Sequence, residues 1–128
     1  MTEEFQSSKP IYLQIVEKVI IDIVRGKQPL GEKLPSVREM AVQMGVNPNT
    51  IQRTYSELER MNIVETRRGQ GTFVVNREEL INELSYSLQD EIIRSFVQKM
   101  KEIGVPKTQI LNRLQRYLQE GTHDDSVN

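Results

Sequence analysis

Apolar residues recur along this chain in blocks with helical spacing, and one short block breaks the rhythm. From Pro10 onward, Ile11, Tyr12, Ile15, Val16, Val19, Ile20 and Ile23 recur at three- and four-residue steps. That spacing predicts an amphipathic helix, which Gly26 ends. Lys27 to Leu34 holds Pro29 and Gly31 and reads as a connecting loop. Val37, Met40 and Ala41 then face inward on a second helix, and Ile51, Tyr55, Leu58 and Met61 form the buried stripe of a third. The rhythm changes at Ile63-Val64-Glu65-Thr66-Arg67 and Gly71-Thr72-Phe73-Val74-Val75, two β-branched segments that predict a hairpin. Beyond Asn76, Leu80, Leu84, Leu88, Ile92, Phe96, Met100 and Ile103 make a long helical stripe, broken at Gly104-Val105-Pro106. Ile110, Leu111, Leu114, Tyr117 and Leu118 make a shorter one. Met1 to Lys9 is polar and reads as loose, with Phe5 as its apolar anchor. Gly121 to Asn128 is a polar tail expected to be flexible.

Punctuation residues fix the boundaries. Ser36 and Glu39 have the spacing of a capping box, so a helix starts there. Gly45 suits the left-handed backbone that closes a helix. Asn47 caps the next one, and Pro48 takes its first position, where a missing N–H costs nothing. Helix, glycine turn, helix is the arrangement whose second helix enters the DNA major groove.

The expected fold is mainly α with a small β-wing. A winged helix-turn-helix DNA-binding domain spans 1–76, a two-helix dimerisation unit 77–120, and a flexible tail 121–128. Two helices alone bury little area. The stripe of Leu84, Leu88, Ile92, Phe96, Met100, Ile103, Leu111, Leu114 and Leu118 is therefore expected to pair with a second copy. The alternative is that both helices fold back on the N-terminal domain.

Composition changes this picture little. The 128 residues carry a net charge of −1. Lys33 to Arg77 is locally basic, with seven basic against four acidic residues. Placement therefore matters more than total charge. The chain has no cysteine, which excludes disulfides, zinc–thiolate sites and thiol catalysis. No segment approaches a membrane span, and the polar, acidic start is unlike a signal peptide, so a cytoplasmic location is expected. An enzyme is not expected. His123, the single histidine, falls in the tail, and Gly69-x-Gly71 lacks the third glycine and following helix of a dinucleotide site. No cofactor or metal is expected. No residue pattern indicates a small-molecule effector, for which the space between paired C-terminal helices is the natural place.

With Ile51 at the centre of the buried face, steps of about 100° per residue put Asn49, Arg53, Ser56 and Arg60 outward, with Gln52 beside them. Asn and Gln pair bidentately with adenine, and Arg with guanine. Asn49, Gln52 and Arg53 lie in the first turns, where helix-turn-helix proteins meet bases. Thr50 suits a phosphate or a thymine methyl. Asn47 is shared between capping and phosphate. Arg38 sits two residues past Ser36, near the amides that a backbone-crossing helix presents to phosphate. Arg67, Arg68, Gly69 and Gln70 sit at the hairpin tip, which suits the minor groove. Ser36 and Glu39 read first as structural caps, with Ser36 also a candidate DNA contact beside Arg38.

These residues carry a family resemblance. Lys33-Leu34-Pro35-Ser36-Val37-Arg38-Glu39-Met40-Ala41 resembles a signature of the GntR family of bacterial transcriptional regulators. Gly45 to Arg53 and Arg67 to Val74 continue it, and Pro10 to Ile15 resembles the opening of its small YtrA-type members. The resemblance implies a winged helix-turn-helix that binds an inverted-repeat operator as a homodimer, most often as a repressor. It also implies DNA contacts at Arg38, Asn47, Asn49, Thr50, Gln52, Arg68 and Gly69. Many family members carry Arg where this chain has Pro48, and often where it has Gln52. That departure moves base reading toward Asn49, Gln52 and Arg53. A winged helix serving only as a protein-interaction module is the alternative function.

Overall fold

Pro10 precedes the first helix as its N-cap residue, and its carbonyl accepts the amides of Leu13 and Gln14. The computed structural model describes Phe5 and residues 8–121. Helix α1 is Ile11–Val24, α2 Val37–Met44 and α3 Pro48–Arg60. Strands β1 (Val64–Arg67) and β2 (Gly71–Val74) follow, then α4 (Leu80–Glu102) and α5 (Lys107–Glu120). Five helices and one antiparallel hairpin are the winged-helix architecture with a helical extension. The tail from Thr122 onward, with His123, lies outside the described residues, as does most of the N-terminal segment before Ser8.

The core of the first unit is built from one face of each element. Ile15, Val16, Val19, Ile20 and Ile23 of α1 are buried with Met40, Ala41 and Met44 of α2. Ile51, Tyr55 and Leu58 of α3 meet them, and Ile63, Val64 and Val74 close the bottom. Alternation along the hairpin gives its two faces separate jobs. Val64 opposite Val74 points into the core, while Glu65 opposite Phe73 and Arg67 opposite Gly71 share the other face.

Three details differ from the pattern reading. Met61 is 41% exposed, because it caps the end of α3 rather than continuing its stripe. On α3 the pattern missed Thr54, fully enclosed with its hydroxyl satisfied by backbone carbonyls. The Lys27–Leu34 segment is more than a connection. Lys33 bridges Phe73, the amides of Gly31 and Leu34 donate to Val74 and Thr72, and Val74 donates to Glu32. The segment thereby satisfies the outer edge of β2, which would otherwise be left open.

By contacts the first unit runs to Ser85 and the second begins at Tyr86, within α4. The composition change falls earlier, after Asn76. The opening of α4 belongs to the first unit because Leu80 is buried and Arg77 clasps Glu83. In the second unit Gly104, with φ of 83°, separates α4 from α5. Ile103 lies in that turn, outside the helical stripe that the spacing predicted for it. Ile110 is the buried residue of α5.

Candidate nucleic-acid interface

Two caps set where the motif helices begin. The Ser36 hydroxyl accepts the Glu39 amide at 3.1 Å, and the Glu39 carboxylate accepts the Ser36 amide at 2.8 Å. The reciprocal pair is a complete capping box. The Ser36 amide, then its hydroxyl, hold the Glu39 carboxyl below its ordinary range. Gly45, at φ 69° and ψ 37°, closes α2 in the left-handed conformation expected of it. The Asn47 side-chain oxygen accepts the Asn49 amide at 2.7 Å, with Pro48 at the first helical position.

The two helices are tied directly. The phenol of Tyr55 on α3 donates to the Pro35 carbonyl, at 2.6 Å, just ahead of the α2 cap. Burial, and then the Glu39 charge, push that phenol well above the ordinary tyrosine range, so it stays a donor. The angle at which α3 projects is thus held by packing and by a bond to the backbone that launches α2.

The outward face of α3 is as the spacing predicts. Ile51 is fully buried, and Asn49, Gln52, Arg53, Ser56 and Arg60 are exposed. Thr50 is half-buried, and its carbonyl accepts the Thr54 hydroxyl. Arg60 is bound to Glu57, its i−3 neighbour.

The expected contact residues fall into two groups. Arg38, Asn49, Gln52, Arg68 and Gln70 are exposed, and their side chains make no hydrogen bond or ion pair with other described residues. Their donors and acceptors are available. Ser36 and Asn47 are occupied as caps. Arg53 stacks on the Tyr12 ring, with its guanidinium carbon 4.1 Å from the ring centroid. Arg67 is doubly engaged: it lies 4.1 Å over the Phe73 ring and bonds Glu65 at 2.9 and 3.2 Å. Of the two tip arginines, Arg68 is therefore the available cation. The tip is the three-residue turn Arg68-Gly69-Gln70, and the Gln70 amide donates to the Arg67 carbonyl at 2.9 Å. Gly69 has φ of 75° with open space where a Cβ would stand, so the turn's backbone is what requires glycine there.

Two further residues of this surface went unread in the sequence. Tyr12 was absorbed into the apolar stripe of α1, and only its contact with Arg53 gives it a second role. Lys33 counted as charge and as the first residue of the signature, with no contact foreseen. Its side chain runs beside Gly71, where an added Cβ would come within 2.5 Å of the Lys33 Cε. The glycine in a strand is the one sequence sign of that close approach.

The expected association stripe is uneven. Leu84, Leu88, Phe96 and Met100 are half-buried, while Ile92 and Ile103 are exposed. Leu111, Leu114 and Leu118 of α5 are 67%, 40% and 62% exposed, and Tyr117 is 72% exposed. No described group of His, Cys, Asp and Glu could hold a metal ion. No described helix is long and apolar enough to cross a membrane.

A short glycine turn between two capped helices, followed by a β-wing, defines a winged helix-turn-helix protein. The chain belongs to the gntR family of bacterial regulatory proteins, whose family model matches residues 11–74. It is 53% identical over 121 residues to an uncharacterized HTH-type transcriptional regulator, YhcF, of Bacillus subtilis. That alignment covers 94% of this chain and all of the relative. It is 48% identical over 69 residues to the HTH-type transcriptional repressor YtrA of the same organism, covering 54% of this chain and 53% of that one. Among solved structures, a GntR family transcriptional regulator from Listeria monocytogenes superposes with a TM-score of 0.79 at 38% identity. It covers 88% of this chain and 98% of the other. The AraR DNA-binding domain in complex with operator ORX1 superposes at 0.52 and 28% identity, covering 59% and 93%. The chain is thus a GntR-type transcriptional regulator carrying a DNA-binding domain, a family of regulators rather than enzymes.

Proposed function

We propose that the protein is a cytoplasmic repressor that binds an inverted-repeat operator as a homodimer. The observation that carries this reading is a set of exposed side chains, without a partner among the described residues, on three successive elements. Arg38 stands on α2, Asn49 and Gln52 on α3, and Arg68 at the wing tip. Asn49 and Gln52 have the donor and acceptor pair that matches adenine in the major groove. Arg38 and Arg68 supply the phosphate and minor-groove charge that fixes register. The operator complex of AraR and the repressor designation of B. subtilis YtrA support the same reading. Exposed Leu111, Leu114 and Leu118, with Ile92 of α4, supply the apolar surface for a second copy. A dimer sets two reading helices about 34 Å apart, one turn of duplex. Bound over a promoter, it blocks access for polymerase.

The test is competitive gel-shift titration of the full chain on its own promoter region against random duplex of equal length, at several salt concentrations. Preferential, salt-sensitive binding with dimer stoichiometry is expected. Equal affinity for both duplexes overturns the reading and favours a protein-docking role for the winged helix.

A further inference from the structure

We infer that Tyr12 is a positioning residue for base recognition: its ring holds the Arg53 guanidinium so that Arg53 reads one base pair from a fixed place. The inference rests on the DNA-binding reading above. Tyr12 lies in the first turn of α1, and Arg53 lies one turn after Asn49 on the outward side of α3. The 4.1 Å separation places the guanidinium on the ring face. Stacking uses the flat face of a guanidinium and leaves the N–H donors around its edge free. Those edge donors are the ones that pair with guanine O6 and N7.

The wing provides the contrast. Arg67 is stacked at the same 4.1 Å on Phe73, but Glu65 occupies its edge through two hydrogen bonds. Among the described residues no carboxylate hydrogen-bonds Arg53; Glu57 is near enough to feel its charge but bonds elsewhere. Glu57, one turn further along α3, gives its oxygens to Arg60. One stacked arginine is closed off by a carboxylate and the other is held with its edge open.

Tyr12 is itself held in register with α3. The enclosed Thr54 hydroxyl shares its proton between the carbonyls of Tyr12, at 3.2 Å, and Thr50, at 2.9 Å. Beside the stacked pair lies a recess of about 330 Å³ lined by Pro10, Ile11, Tyr12, Asn49, Thr50 and Arg53. The opening of α1 therefore forms one wall of the surface whose other wall carries Asn49. An arginine ordered before it meets DNA loses less freedom on binding than a loose one.

The experiment is selection from a pool of fully randomised duplexes. It uses the full chain as wild type, Tyr12→Phe, Tyr12→Leu, Arg53→Ala and the Tyr12→Leu/Arg53→Ala double variant. Wild type should enrich one motif. Arg53→Ala should flatten one base-pair position by about tenfold. Tyr12→Leu should weaken the same position by about threefold. The double variant should be no flatter than Arg53→Ala, and Tyr12→Phe should keep the wild-type preference. If Tyr12→Leu does not fold, Tyr12→Met keeps the half-buried bulk without the ring and takes its place. An unchanged position in Tyr12→Leu, additive effects in the double variant, or a loss in Tyr12→Phe equal to that in Tyr12→Leu each overturns the inference. Wild type enriching no motif instead overturns the DNA-binding reading beneath it.

Discussion

The Tyr55 phenol and the Pro35 carbonyl meet at 2.6 Å, joining the reading helix to the backbone that starts its partner helix. Nearly all of Tyr55 is buried, so the bond has little competition from water. Removing the hydroxyl leaves an acceptor unpaired in a partly buried place. Tyr55→Phe should cost about 1–2 kcal/mol in urea unfolding. It should also delete a late phenolate step from an ultraviolet alkaline titration, because burial raises this phenol. A titration curve unchanged above pH 10 would show that Tyr55 is not the protected phenol.

The two tip arginines should separate cleanly. Arg68→Ala should weaken operator binding and lower the slope of log K against log salt by about 1, as expected for one lost phosphate contact. Arg67→Ala should leave the slope nearly unchanged, since Glu65 already neutralises that charge. Fluorescence anisotropy at four or more salt concentrations distinguishes them. Equal slope changes in both variants would contradict the assignment.

Ser36→Ala should destabilise the fold by about 1 kcal/mol through loss of the cap. The partner carboxylate gives the cap a pH signature. Bonds from the Ser36 amide and hydroxyl hold Glu39 below its ordinary value of 4.5. A carboxyl lowered in the folded state adds stability above its unfolded value and loses it as pH falls through the folded one. The difference in melting temperature between wild type and Glu39→Gln should therefore be present at neutral pH and shrink below about pH 4.5. A difference that grows on acidification would be the wrong sign.

Leu111→Glu combined with Leu118→Glu places two charges on the exposed apolar face of α5. Sedimentation at micromolar concentration should shift from dimer to single subunit. Operator affinity should fall by a factor on the order of 100 as the second half-site contact is lost. Thermal stability of the winged-helix unit should change little. Retention of the dimer by this variant would move the association surface elsewhere.

Local chemistry made most of the helix boundaries legible. Ser36 with Glu39, Gly45, and Asn47 with Pro48 each act within four residues, and all of them sit in the structure as their spacing implies. The outward face of α3 was equally readable, because helical periodicity needs only one buried reference, Ile51. Relationships between distant segments left no such mark. Tyr12 and Arg53 are far apart in sequence, as are Lys33 and Phe73, and pairings of that kind appear only once the chain is folded. Arg67 illustrates the cost. Beside Arg68 it looks like an equal cation, and only strand alternation puts Glu65 and Phe73 on its side. Thr54 hid for a different reason: a hydroxyl in an apolar stripe reads as polar surface until its backbone acceptors are known.

The Thr54 hydroxyl, held between two carbonyls that belong to different helices, bears on how this protein could be retargeted. Grafting only the reading helix from another regulator would bring new base preferences but abandon the anchor that seats them. A transplant that carries the opening turn of α1 together with Thr54 moves the whole seat, so operator specificity should transfer as a two-segment cassette.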